Sequence, residues 1–459
     1  MVGTGFLYRD EIRGRFSEAL SRMYREEVPQ YSVLMSLVAS INADVLAADQ
    51  DFERRLKSSG DLDRLSEERH GAIRVGTPAE LAMIGRAFAV MGMFPVSYYN
   101  LAPAGVPVHS TAFRPIEIEA LRRNPFRVFT SLLRLELIED EALREEALVT
   151  LGRREIFNPE TVELIQISER EGGLGPDQAD RFVETLLDTF RWHMHATVSA
   201  PTHERLLKAH RLIADVVSFR GPHINHLTPR TLDIDAAQAA MSAQGLRPKD
   251  SIEGPPRRDC PILLRQTSFK ALDEAIAFPS DGEWVLGSHT ARFGEIEQRG
   301  AALTPAGRAL YDQLLAARSA GQGRFAEFPD DWTALRRQEL AWFRYRLVDT
   351  GSPPPDAIVG DLEALISAGY VAADPIVYED FLPVSAAGIF HSNLGRAATA
   401  SYVAADPARE AFEAALGRPV EDEMALYAME QNQSLADVQR ALARPGTSKP
   451  GFLREGRAR

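Results

Sequence analysis

A pattern that occurs twice constrains this chain more than any other feature of its sequence. The strand-like run His70-Gly-Ala-Ile-Arg-Val75 meets Gly76-Thr77-Pro78, passes into a helix-like stretch over 79–91 and stops at Gly92, with strand-like segments following around 96–101, 106–113 and 126–137. The second occurrence begins at His223-Ile-Asn-His-Leu227, meets Thr228-Pro229, runs through helix-like 234–243 and stops at Gly245-Leu-Arg-Pro248, with strand-like 260–270 and 287–302 after it. Threonine is a good helix N-cap, proline suits the first helical turn, and glycine commonly ends a helix. Strand, helix and several strands, repeated and each time opening on a histidine-bearing strand, predict a duplicated α+β unit.

Helices are expected elsewhere. Phe16, Leu20 and Met23 recur at helical spacing and 31–46 is apolar with few breakers, so 1–68 reads as a helical lead-in to a first unit at 69–138. Residues 139–218 read as a helical insertion, 219–304 as the second unit, and 305–443 as a mostly helical region with loops near 351–355 and 384–395. The last stretch, 444–459, is rich in Pro, Gly, Ser and basic residues and is expected to be a flexible tail.

Composition narrows the partners. With 65 acidic against 52 basic residues the formal charge is −13, and no basic stripe is interleaved with aromatics, which argues against nucleic acid. The single cysteine, Cys260, rules out an internal disulfide and thiolate metal clusters and suits the cell interior. Charged residues Arg9, Asp10, Glu11, Arg13 and Arg15 interrupt the N-terminal apolar positions, so no signal peptide is expected, and no stretch reads as a membrane span. A cytoplasmic protein is the expectation, long enough to bury a sizeable site.

Three strands carry the chemistry. Side chains alternate along a strand, so His70 and Arg74 share a face, placing a candidate metal ligand beside a guanidinium suited to clamp a carboxylate. The alternative for Arg74 is an ion pair with a surface acid. His223 and His226 would face opposite sides of an extended strand, and spacing does not choose which of them meets His70. In Arg292-Phe-Gly-Glu-Ile-Glu-Gln-Arg299, Glu295 and Glu297 lie on one face with Phe293 and Arg299, and one of these acids should meet a metal or an arginine. Two histidines and a carboxylate on separate strands would make a facial triad with positions open to a chelating substrate.

The segment Phe293-Gly-Glu-Ile-Glu-Gln-Arg299 resembles the metal-ligating strand of 4-hydroxyphenylpyruvate dioxygenase, of the vicinal oxygen chelate superfamily, whose first glutamate binds iron. Over nearly its whole length the chain also resembles the bacterial 2-oxoadipate dioxygenase/decarboxylase family, through Arg69-His-Gly-Ala-Ile-Arg74, His223-Ile-Asn-His-Leu-Thr-Pro-Arg230, Gly294-Glu-Ile-Glu-Gln-Arg-Gly300 and Phe390-His-Ser-Asn-Leu-Gly395. The resemblance implies two βαβββ modules forming a metal-holding sheet, Fe(2+) on His70, His226 and Glu295, and substrate contacts from His70, Arg74 and Val403, with Arg74 acting in catalysis. It implies conversion of 2-oxoadipate and dioxygen to D-2-hydroxyglutarate and carbon dioxide in lysine catabolism. A metal-dependent isomerase or lyase of the same fold is the alternative that the ligand set leaves open.

Overall fold

The computed structural model describes residues 5–319, 324–348, 362–382 and 407–442. Its chain partitions into two compact units, one made of 1–300 with 378–423 and the other of 301–377 with 424–459. The span 305–443, read from sequence as one region, is therefore divided between them.

The first unit opens with four helices, α1 (Arg9–Glu27), α2 (Pro29–Ala48), α3 (Gln50–Ser59) and α4 (Asp61–Leu65). By length and composition alone α2 could cross a membrane, which the sequence reading did not credit. Its Tyr31, Leu34, Leu37 and Val38 instead belong to the main apolar core, and its Asn42 bonds the backbone at Arg230 and Leu232.

Next come β1 (Arg69–Val75), α5 (Pro78–Val90), β2 (Phe94–Asn100), β3 (Val108–Arg114), the short α6 (Ile118–Arg123) and β4 (Arg127–Leu133). Thr77 caps α5: its hydroxyl accepts from the Glu80 amide, while the Glu80 carboxylate accepts from the Gly76 amide at 2.7 Å and from the Thr77 amide at 3.3 Å. The strands lie in the order β2-β3-β4-β1, with β1 parallel to β4. Alternation gives this sheet two unlike faces. Ile73, Val75, Phe113, Val128 and Leu132 share the core with Leu81, Ile84 and Phe88 of α5. His70, Arg74, Arg127, Ser131 and, by cross-strand register, Ser110 lie on the opposite face.

Helices α7 (Glu141–Gly152), α8 (Pro159–Glu171), α9 (Pro176–Asp188), α10 (Ala200–Ala209) and α11 (Arg211–Val217) then lead to β5 (His226–Pro229). This strand adds antiparallel to the free edge of β1, with His226 opposite Ala72 and Thr228 opposite His70. Gly71 permits the approach, because a Cβ there would stand 2.5 Å from Ile224 Cδ1 and 3.3 Å from the His226 carbonyl. The strand expected from His223 begins only at His226, so the opposite-face argument for His223 does not apply. Thr228 and Pro229 are strand residues, and Asp233 rather than Thr228 caps α12 (Ile234–Met241).

The second occurrence of the pattern is looser than the first. β6 (Leu264–Ser268) pairs antiparallel with β9 (Glu295–Arg299), isolated bridges at Pro248↔Phe269 and Glu253↔Gln266 lay 248–253 beside β6, and a parallel bridge at Arg230↔Glu297 joins β9 to the end of β5. Between β6 and β9 stands a hairpin, β7 (Asp273–Ser280) and β8 (Glu283–Thr290), turned by Asp281 and Gly282 at φ +48° and +86°. The expected single strand over 287–302 is thus two strands. The second compact unit holds helices Pro305–Ser319, Trp332–Arg337 and Leu362–Ser367 and the antiparallel pair β10 (Phe343–Leu347) and β11 (Val371–Pro375).

Candidate metal centre

The β1–β5 seam and the start of β9 bring together three side chains able to ligate a metal. His70 is the second residue of β1, His226 the first of β5 and Glu295 the first of β9. One ligating atom from each lies within 4.8 Å of the others, and their exposures are 1%, 1% and 0%. Tyr24 of α1 fixes the two incoming segments relative to each other: its hydroxyl reaches the carbonyls of Asn225 at 3.0 Å and Phe293 at 2.7 Å, each a step or two from a ligand.

The donor atoms are poorly satisfied by the protein. Neither nitrogen of His226 has a hydrogen-bond partner. Around His70, Glu295 Oε1 is 3.2 Å from Nε2 and Glu297 Oε2 is 2.9 Å from Nδ1, yet neither contact has hydrogen-bond geometry. Glu295 Oε1 accepts from Gln266 Nε2 at 2.7 Å and from the Thr228 hydroxyl at 3.2 Å, while its Oε2 has no partner. Buried polar atoms without partners are costly, and a divalent cation bound by two imidazoles and one carboxylate oxygen would satisfy all three groups at once. The residues therefore fit a metal.

Ionisation suits the same task. Burial, with His70 adding to it, lowers the His226 pKa to about 4 against the pull of Glu295, so its ring is neutral at pH 7. Burial also works against a charge on His70, but Glu297 and Glu295 outweigh it and raise its pKa. Burial would push both acids up; His226 and His70 nevertheless hold Glu295 below its usual value, and Arg299 first, then His70, bring Glu297 to about 2.

Glu297 reaches His70 from behind, and Arg299 grips Glu297 with two bonds of 2.9 Å. The third nitrogen of Arg299, Nη1, donates to the carbonyls of Tyr378 and Asp380. That segment supplies Phe381, whose ring stands 4.9 Å from His70, while Phe293 covers His226 at 4.8 Å. Arg74 shares the face of β1 with His70 and lies near enough to help depress the His226 pKa. It is paired with buried Asp215 at 2.7 Å. His223 does not join the ligand group; its Nε2 is 3.2 Å from Asp215 Oδ1. Val403 and the 390–395 motif lie outside the described residues.

Sequence reasoning missed Gln266, Tyr24 and Asp215. Asp215 did leave a signal, as the lone acid in the otherwise apolar Leu212-Ile-Ala-Asp-Val-Val217.

Fold and site together define a mixed α/β protein built around a buried group of two histidines and one carboxylate able to hold a metal ion. The chain belongs to the 2-oxoadipate dioxygenase/decarboxylase family, whose sequence model matches residues 16–393. It is 56% identical over 439 residues to the 2-oxoadipate dioxygenase/decarboxylase of Escherichia coli, covering 93% of this chain and 97% of that protein. To the Pseudomonas putida protein of the same name it is 55% identical over 461 residues, covering 96% and 99%. The crystal structure of the Pseudomonas putida hydroxyglutarate synthase in complex with 2-oxoadipate superposes with a TM-score of 0.88 at 53% identity, over 96% of this chain and 100% of that one.

Proposed function

We propose that this protein is an Fe(2+)-dependent dioxygenase/decarboxylase that converts 2-oxoadipate and dioxygen to (R)-2-hydroxyglutarate and carbon dioxide. The observation that carries the reading is the buried group of His70, His226 and Glu295, with its partnerless ligand atoms, in a chain of this family. The reaction balances without an external reductant, since six carbons and seven oxygens enter as 2-oxoadipate and dioxygen and leave as hydroxyglutarate and carbon dioxide. A ferrous ion held there would be chelated by a 2-oxo acid and would supply the redox chemistry with dioxygen.

The chain's own residues provide the order. His70, His226 and Glu295 would hold the ion as three protein ligands, too few to fill its coordination, which leaves room for substrate. Glu297, 2.9 Å from His70 Nδ1, is placed to favour the tautomer that leaves Nε2 for the metal, as outer carboxylates do for metal-bound imidazoles. Phe381 against His70 and Phe293 against His226 would keep water from the two imidazoles, which strengthens the charge interactions there. Arg74 would clamp a carboxylate of the substrate so that one carbon faces the oxidant.

The two strand–helix–strands units correspond, in this reading, to paired βαβββ modules of the vicinal oxygen chelate type, with the β7–β8 hairpin inserted in the second. A cytoplasmic location agrees with the lone buried cysteine and with the packing of α2 into the core. The test is anaerobic loading with ferrous ion followed by 2-oxoadipate and dioxygen. Equimolar hydroxyglutarate, carbon dioxide and oxygen uptake are expected; 2-oxoadipate turnover with no oxygen uptake would place the protein among isomerases or lyases instead.

A further inference from the structure

One buried cluster lies outside the ligand group, and of its members only Arg74 has a part in the chemistry above. Asp215 is 6% exposed and sits in α11 among Leu212, Ile213, Ala214, Val216 and Val217, an apolar setting in which an isolated carboxylate would be strongly unfavourable. Four polar side chains from three other parts of the fold converge on it. Arg74 of β1 donates from Nη1 to Oδ2 at 2.7 Å, and Asn225, which precedes β5, donates to the same oxygen at 3.4 Å. His289 of β8 and His223 place their Nε2 atoms 3.1 Å and 3.2 Å from Oδ1. Burial would raise the pKa of this carboxyl, but His223, His289 and Arg74 overcome it and hold the group well below the usual range.

The cluster is not a second metal centre, because among the described residues only His70, His226 and Glu295 converge closely enough to hold an ion. Its arrangement is directional instead. One carboxylate oxygen is fixed by two histidines, and the other is turned toward Arg74, whose long side chain would otherwise sample many rotamers. Arg74 leaves β1 on the face that carries His70, so the anchor that restrains it also decides where its guanidinium stands relative to the metal group.

We propose that Asp215, braced by His223 and His289, is a positioning residue that presents the Arg74 guanidinium to a carboxylate of the substrate. The inference rests on the reading of Arg74 as a substrate clamp. Asp215 need not touch substrate; it removes the conformational freedom that Arg74 would lose on binding.

The experiment compares kcat/KM for 2-oxoadipate with kcat/KM for 2-oxohexanoate, which has the same chain length and no distal carboxylate, in iron-loaded enzyme. Arg74→Ala, Asp215→Ala, Asp215→Asn and the double Arg74→Ala/Asp215→Ala variant are measured alongside iron affinity. Asp215→Ala should lower the ratio of the two values by roughly 10- to 100-fold, mainly through KM for 2-oxoadipate. Asp215→Asn, which keeps an oxygen facing Arg74, should retain part of the ratio and serves as the test if the alanine variant does not fold. Once Arg74 is alanine, removing Asp215 should lower the ratio no further. Iron affinity should stay within a few-fold of wild type in both Asp215 variants.

Equal losses on the two substrates, full additivity in the double variant, or a loss of iron affinity as large as the loss of ratio would each show a structural role and overturn the proposal. If Arg74→Ala lowers the ratio and the Asp215 variants do not, the positioning role alone fails. If Arg74→Ala leaves the ratio unchanged, the clamp reading fails and this inference falls with it.

Discussion

His70 is flanked by two carboxylates, and its two nitrogens have different tasks. Nε2 faces Glu295 and the ligand group, while Nδ1 faces Glu297. Parity along β9 put both acids on one face but could not rank them; the resemblance chose Glu295, and the geometry explains the choice, because Arg299 occupies both oxygens of Glu297. Glu297→Gln keeps the shape and removes the charge behind His70. It should weaken ferrous ion binding by about 10- to 100-fold in a chelator competition, and an unchanged affinity would mean that Glu297 serves only Arg299. The pKa shifts give a second expectation. Because the His70 pKa is raised and that of His226 is lowered to about 4, an incoming ion competes with a proton at His70 and, near neutral pH, with none at His226. Metal affinity should therefore rise with pH through the raised His70 pKa and level off above it. Calorimetry in buffers of different ionisation enthalpy should register net proton release on binding that declines as the pH is raised; no release at any pH would contradict the assignment.

At the scale of elements, the first copy of the repeated pattern was legible because its signals are local. Thr77, Pro78 and Glu80 form a complete N-terminus within four residues, and β1 to β4 pair within one continuous stretch of chain. The second copy kept the same letters with a different meaning. Thr228-Pro229 is drawn into β5 because the edge of β1 is there to receive it, and tertiary pairing overrides capping propensity. Asp281-Gly282 is a hairpin signal that the strand-like reading of 287–302 left unused; Trp284 and Leu286 are 53% and 76% exposed, so apolarity there does not report the core. The two threonines can be separated by mutation. Thr77→Ala removes an N-cap and should destabilise the protein by about 1 kcal/mol, seen as a lower urea midpoint with little loss of metal. Thr228→Val keeps the shape of a β-branched strand residue and removes the hydroxyl bonded to Glu295, so it should act mainly on metal affinity. The reverse pattern would show that the cap and ligand assignments are exchanged.

Across the whole first unit, the pieces that carry the ligands are joined by charge as well as by sheet. Glu68, fully buried, accepts from Arg127 of β4 and Arg230 beyond β5 at 2.8 Å each, with Arg64 of α4 at 3.4 Å and Arg299 of β9 at 3.7 Å. Glu379 takes a second set of bonds from Arg64 and Arg127, and Asp380 takes two from Arg114 of β3. None of this was legible in the sequence, because partners such as Arg64 and Glu379 are 315 positions apart and a charged residue reads as surface by default. Burial would push the Glu68 carboxyl up, but Arg64, Arg230 and Arg127 hold it well below the usual range. Such a network adds little over an apolar core while intact, and its loss is severe when one member goes: without Glu68, Arg230 loses the carboxylate that holds it, and Arg64, Arg127 and Arg299 are left, still buried, with chiefly Glu379 and Glu297 to offset them. Glu68→Ala should therefore destabilise the first unit by about 3–5 kcal/mol. By contrast Glu169→Ala, which breaks a bidentate pair with Arg86 between half-exposed side chains, should scarcely move the urea midpoint, because solvent already screens both charges. The comparison is made on metal-free protein by far-UV circular dichroism, so that a change in metal binding cannot mimic a change in fold. Similar midpoints for the two variants would mean that water reaches the Glu68 cluster and that it does not bind the unit together.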